Sequence, residues 1–489
     1  MSRFPYSTPE AQGVSSTAIH NFVAALERDV EAVHSLMLLR HGHVIAEGWW
    51  EPFRRDDPHA LFSLSKSFTS SAIGLLITEG RLSLDDPVLK FFPDETPARV
   101  SEHLRAMRVR HLLSMSTGHE TEPSLRTRAQ TLKSWVRAFL THPVKYEPGT
   151  HFLYNSMATY VLSAIVTQVT GERMVDYLRL RLFEPLGIQS PFWEVSPQLI
   201  NTGGWGLHIT TEDIAAFGQL YLQKGLWHGQ QLLPESWVET ATRWQVSNGD
   251  DPNNDWAQGY GYQFWRCRHN LYRGDGAFGQ YCIVMPEQDA VLVMTSGLGD
   301  MGKPMALAWE HLLPAFQSAP LLDDSAAQSA LTRKLASLQL TTPQGAVSVG
   351  LAGSISGRTY QMAANPDRLK SLCFEFGADE TVITFGKGKT PQRLTFGHGR
   401  WVRGSAILHP RDAAFVGLVI MRPGAWPLAA SGTWTDESTF TAKLWWYETP
   451  FAWTMTCRFS DDQVTIEQRG NVGFSPVEGP TLHGVLTQK

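Results

Sequence analysis

A serine and a lysine stand three residues apart in Leu61-Phe62-Ser63-Leu64-Ser65-Lys66-Ser67-Phe68-Thr69-Ser70, and no other Ser-x-x-Lys occurs in the 489 residues. A serine hydroxyl is a weak nucleophile at its free pKa and needs a neighbouring base and a field that favours negative charge. From Ser67 onward Phe68, Ala72, Leu75 and Leu76 recur at helical spacing, and Gly80 stands where a C-terminal cap belongs, which predicts a buried helix. At positions i and i+3 of its first turn Ser63 and Lys66 share a face, so the ammonium is predicted beside the hydroxyl. The helix N-terminus supplies the field. Four residues alone also fit an ordinary cap with a solvated lysine. The uniqueness of the pattern and the apolar helix behind Lys66 favour a nucleophile beside a base.

Two further stretches carry chemistry. Tyr154-Asn155-Ser156 follows the turn-like Glu147-Pro148-Gly149-Thr150 and precedes an apolar helix, residues 157–169, stopped at Gly171. A tyrosine here fits ordinary packing; beside a lysine cation its phenol pKa would fall, letting it accept the serine proton. Arg273-Gly274-Asp275-Gly276-Ala277-Phe278-Gly279-Gln280 spells Gly-x-Gly-x-x-Gly, but the dinucleotide reading requires a helix afterwards. An extended apolar stretch, 280–285, follows instead. The glycines are therefore read as letting a strand approach a ligand closely, with a backbone N–H facing Ser63 to hold an oxyanion.

The surrounding elements must position these groups. A helix capped by Ser15 or Ser16 runs to about Arg28, with Ile19, Phe22, Val23 and Leu26 on one face. A hairpin follows, 35–40 and 44–50, turning at His41-Gly42-His43; a metal reading of the two histidines lacks further ligands nearby. A mainly helical region extends to about Gly187, strands are predicted at 260–267, 270–273, 280–285 and 290–295, and a helix at 305–316 closes the unit. This is an α+β arrangement: an antiparallel sheet flanked by terminal helices with an inserted helical subdomain, residues 1–320. Residues 321–350 read as a linker with a short helix at 329–338. Residues 351–489 show alternation at 440–446, 453–459 and 464–466 and read as an all-β barrel-like module.

Composition sets limits. With 43% apolar and 18% charged residues and a net charge of -5, the chain is a folded protein with no basic run to attract nucleic acid or an anionic membrane. No stretch is apolar for the length of a membrane span and the N-terminus lacks a secretory signal's apolar core, which predicts a cytoplasmic protein. The four cysteines, Cys267, Cys282, Cys373 and Cys457, are scattered in strand-like runs and read as buried hydrophobes rather than disulfide or zinc ligands.

The ordered set Ser63-x-x-Lys66, Tyr154-Asn155-Ser156, Gly274-Asp275-Gly276 resembles the three motifs of the serine hydrolases related to class C β-lactamases and penicillin-binding proteins. Residues 109–118, Gly204-Trp205-Gly206-Leu207 and Thr210-Thr211-Glu212-Asp213 share the resemblance, which spans roughly residues 10 to 316. It implies a β-lactamase-like fold and an acyl-enzyme on Ser63 activated by Lys66 and Tyr154, with the N–H groups of Ser63 and Ala277 as oxyanion hole and Ser156, Gly274, Asp275 and Gly276 bordering the substrate. It implies no cofactor and no metal. The second motif of the family ordinarily ends in asparagine, where this chain has Ser156, and the third often begins with lysine or histidine, where it has Gly274. Those side chains commonly meet an acidic group, so a small ester or amide is the expected substrate. D-amino-acid peptidase or β-lactamase activity, or a penicillin-binding-like protein without turnover, are the alternatives, and self-association into a homo-oligomer is left open. The C-terminal strands resemble small barrel modules appended to some members.

Overall fold

The computed structural model describes residues 3–123, 133–387, 390–409 and 424–487. Helix α1, Ser16–Asp29, begins where the Ser15 side chain accepts the Thr17 N–H. Strands β1, Val33–Arg40, and β2, His43–Trp49, form the predicted hairpin, with His41 and Gly42 alone at the turn. Helix α2, Ser65–Thr78, carries the serine–lysine stretch at its start, and helix α3, Ser156–Thr170, ends at Gly171 with a left-handed φ of 77°. Helix α4 spans Thr211–Leu222. Four strands complete the sheet: β3, Trp265–Arg266; β4, Tyr272–Gly276; β5, Gln280–Met285; β6, Ala290–Ser296. Helix α5, Gly302–His311, and helix α6, Ser325–Ala336, follow.

The sheet runs β2-β1-β6-β5-β4-β3, every pair antiparallel. Strands β1 and β6 are buried on both faces. Met37, Leu39, Val291 and Val293 join α2, α3 and α4 in one core; Leu36, Leu38, Leu292 and Met294 join α1, α5 and α6 in another. This double burial gives β1 and β6 continuous apolar runs, whereas one-sided sheets alternate. The α+β class read from the sequence is the one observed.

Some boundaries differ from expectation. The strand predicted over 260–267 is reduced to β3, because Gln263 turns the chain with φ 66° and ties its N–H to Leu113 O. The next strand starts later and contains the glycine motif itself, since His269 and Asn270 take left-handed conformations before it. Helix α6 begins four residues early, where the Asp324 side chain accepts the Ala327 N–H.

The C-terminal strands are β7, Thr359–Met362; β8, Ser371–Phe376; β9, Glu380–Gly386; β10, Gln392–Gly397; β11, Val402–Ala406; β12, Trp426–Trp434; β13, Thr439–Trp445; β14, Ala452–Ser460; β15, Gln463–Gly470; and β16, Leu482–Leu486. They pair in the order β10-β9-β8-β7-β16-β15-β14-β13-β12, and the parallel contact Gly397↔Ser431 closes β10 onto β12. The result is a nine-stranded barrel, with β11 added outside the ring. Alternating burial along β9 and β15 gives the barrel its own aromatic core. Its outer surface contributes Trp401 and Trp445 to the core around α1, and its Arg403 pairs with Asp57 at 2.6 Å.

Candidate active site

The chain enters α2 through a 3-10 turn, Phe62–Leu64, in which Phe62 holds φ 47°. Ser63 sits in this turn. Residues 65–76 are all buried, and Lys66 is only 1% exposed. Its Nζ lies 2.9 Å from Ser63 Oγ, 3.2 Å from Ser156 Oγ and 2.7 Å from Gly204 O. A carbonyl can only accept, so one N–H belongs to Gly204; with a second on Ser156, the lone pair of a neutral amine faces the Ser63 hydroxyl. Burial pushes the lysine pKa down to about 7, against the opposing charges of Glu122 and Asp275. The predicted juxtaposition of Ser63 and Lys66 is therefore present, with the lysine poised between its two protonation states near neutrality.

Tyr154 hydrogen-bonds to Ser63, and its ring lies 4.8 Å from Lys66 Nζ and stacks on Trp265 at 5.1 Å. The residue keeps some exposed surface, but its hydroxyl end is enclosed, and burial followed by the negative charge of Asp275 lifts its pKa far above the usual phenol range. This corrects the expectation that Lys66 would lower it. A lysine that is itself driven toward neutrality offers little cation to stabilise a phenolate, while Asp275 and Glu122 oppose one. Tyr154 thus keeps its phenol proton at neutral pH.

Asn155 is the N-cap of α3: its Oδ1 accepts the Ala158 N–H at 3.2 Å, and the side chain is wholly buried. The next residue, Ser156, turns its hydroxyl to Lys66. Helix capping thus sets the register of this motif.

Strand β4 passes directly against the turn that carries Ser63. A Cβ on Gly276 would lie 2.0 Å from Leu61 O, and one on Gly274 would lie 2.3 Å from Leu64 Cδ1 and 2.7 Å from Ser67 Oγ. The glycines therefore serve an approach to the serine's own turn, where the sequence suggested approach to a ligand. The same Cβ of Gly276 would stand 3.1 Å from Ser63 N, so the peptide leading to Ala277 adjoins the Ser63 N–H. Among the described residues neither the Ser63 nor the Ala277 N–H pairs with a backbone carbonyl. Asp275 engages Arg273 and Trp256 through Oδ2, at 2.9 and 3.0 Å. Arg273 is wholly buried, also donating to Asp255 O and Cys267 Sγ, so it presents no cation to the cleft.

Two groups escaped the sequence reading. The Gly204 carbonyl anchors Lys66, for which the glycine pair Gly203-Gly204 was the available signal. Gln263 ties three elements together: its carbonyl accepts from Ser67, its Oε1 from Thr159 at 2.7 Å, and its Nε2 donates to Leu113 O at 2.8 Å. The barrel adds Phe451 and Phe474, whose rings gather around Phe62 and Phe278, the residues beside Ser63 and Ala277. Among the described residues no cluster of three or more histidine, cysteine, aspartate or glutamate side chains is arranged to hold a metal.

A family model described as Beta-lactamase matches residues 22–317. This chain belongs to the beta-lactamase family. Within that family it is similar to a 6-aminohexanoate-dimer hydrolase from Paenarthrobacter ureafaciens, with 28% identity over 357 residues, 68% of this chain and 88% of that one. It is similar over a shorter stretch to a lovastatin esterase from Penicillium rubens, 28% identical over 175 residues, 31% of this chain and 44% of that one. In structure it resembles a Bacillus anthracis protein assigned as a 6-aminohexanoate-dimer hydrolase, with TM-score 0.53, 19% identity, 64% of this chain and 87% of that one covered. That likeness carries the beta-lactamase fold. Among the described residues no helix is long and apolar enough to cross a membrane.

Proposed function

We propose that this protein is a serine hydrolase that cleaves a small ester or amide through an acyl-enzyme on Ser63. The observation that carries the reading is the Lys66 amine, buried without an ion-pair partner among the described residues and 2.9 Å from Ser63 Oγ. In this reading neutral Lys66 accepts the Ser63 proton as Oγ attacks the acyl carbonyl. The N–H groups of Ser63 and Ala277 hold the oxyanion. The ammonium then returns the proton, through the Tyr154 hydroxyl, to the departing alcohol or amine. Water attacks the acyl-enzyme in the same geometry and releases the acid.

The substrate is proposed as neutral around its acyl carbonyl. Gly274 stands where the family often has a cation, and Arg273 is paired inside the protein. Asp275 borders the site as a source of negative potential rather than as a hydrogen-bond acceptor for substrate. Relatives named for a 6-aminohexanoate dimer and for a lovastatin ester support an amide or ester over a β-lactam.

The test is hydrolysis of p-nitrophenyl acetate with mass spectrometry of the quenched protein. Wild type should show a burst and an acetyl adduct on Ser63, and Ser63→Ala should show neither. Equal turnover by the two proteins would refute the reading.

A further inference from the structure

The barrel is packed unevenly. Around one part of its axis Phe374, Phe376, Trp434, Phe440 and Phe459 fill the interior with rings in mutual contact. The part bordered by Phe451 instead holds a cavity of about 140 Å³, walled by Phe385, Phe451, Met455, Ile466 and Val472. Protein interiors rarely contain voids larger than a water molecule, because every wall atom facing one forfeits its dispersion contacts. Apolar cavities of about 150 Å³ stay dry and take up benzene. The charged lining residues, Asp367, Lys387 and His409, keep solvent exposure and mark the mouth, so among the described residues nothing inside compensates a charged ligand. The buried amide of Gln468 is held by Asp367 and Pro480 O at 3.1 Å each. Trp453 also lines the cavity, and its indole N–H is buried without a partner among the described residues.

We propose that this cavity is a binding site for a small neutral apolar group, one aromatic ring or a short alkyl chain with at most one hydrogen-bond acceptor. The Phe451 wall gives the site a bearing on catalysis. Its ring lies 6.0 Å from that of Phe62 and 5.5 Å from that of Phe278, the two residues flanking the Ser63 and Ala277 N–H groups. Phe451 thus borders the cavity and also meets the aromatic pair beside the proposed oxyanion segment. The apolar group has two sources: a free ligand, or the acyl portion of the substrate reaching past Phe451.

The experiment uses the full chain and does not depend on turnover. Fluorobenzene is titrated and followed by ¹⁹F line broadening, with 4-fluorobenzoate as the charged counterpart and Met455→Trp and Ile466→Phe as cavity-filling variants whose folding is checked by circular dichroism. Saturable binding of fluorobenzene by wild type, weakened at least tenfold in whichever variant folds, and no saturable binding of 4-fluorobenzoate, is the expected result. No saturable binding by wild type, undiminished binding by the filled variants, or equal binding of the benzoate would overturn the site. Steady-state kinetics then assign the source. Competition between fluorobenzene and p-nitrophenyl phenylacetate that disappears in Met455→Trp supports the acyl group; its absence in a wild type that binds fluorobenzene supports a free ligand. Activity on p-nitrophenyl acetate should be retained in both variants.

Discussion

Lys66 and Arg273 are buried cations on neighbouring elements, α2 and β4, and their surroundings differ in kind. Arg273 has a carboxylate at 2.9 Å, a carbonyl, a sulfur and the faces of Trp256 and Trp265, and its charge is secured. Lys66 has two hydroxyls, one carbonyl and the Tyr154 ring, all neutral, with no carboxylate at ion-pair distance among the described residues, and its charge is not. Burial costs both side chains their hydration, but only Arg273 recovers it through an ion pair. Burial without a counter-ion at ion-pair distance brings the lysine pKa down to about 7, and supplying one turns an arginine into a strut for the glycine strand.

The largest expected effect tests the first half of this contrast. Lys66→Met should keep the fold and lower kcat/KM for p-nitrophenyl acetate by about 10⁴; a loss below tenfold would assign the proton to another group. The strut is tested by Arg273→Leu, which leaves Asp275 buried and unpaired and should cost about 3–5 kcal/mol in denaturant unfolding. An unchanged midpoint would mean that the pair is not structural. Tyr154→Phe should lower kcat by about 10² while KM changes little, as expected of a donor that acts during proton transfer. A wild-type rate from the phenylalanine variant would remove Tyr154 from the relay.

The smallest effect is on stability. The folded pKa of Lys66, about 7, lies below the 10.5 of an unburied lysine. Between those values the unfolded chain binds more protons, so this group makes the protein more stable as pH rises through the window. The melting difference between Lys66→Met and wild type should favour the variant most at pH 7 and below and shrink toward pH 10. The kcat/KM profile of wild type should rise through a limb near pH 7. A difference constant across that range would place the lysine pKa elsewhere.

How much of this was legible depends on the range of the interactions. The Ser63–Lys66 contact is a local consequence of helix geometry, and sequence spacing was enough to find it. The place of Ser156 was also within reach, since an asparagine before an apolar helix is a capping signal, and capping sets which residue comes next. The Gly204 carbonyl lies 138 residues from Lys66 and is a backbone group with no side-chain type to mark it. The Tyr154 pKa went the wrong way because its sign depends on enclosure and on the Asp275 carboxylate, both supplied by tertiary structure. Gln263 was hidden inside what read as a strand, and its left-handed φ is a conformation that a glutamine does not advertise.

Trp401, Ala429, Trp445 and Ala452 of the barrel share one apolar core with α1, α5 and α6, while Phe451 packs against Phe62 in the turn that carries Ser63. A fragment cut at residue 317, where the family match ends, would therefore expose a raw hydrophobic face and lose an aromatic brace beside Ser63. For expression, crystallisation or directed evolution, the smallest useful unit of this protein is both halves together.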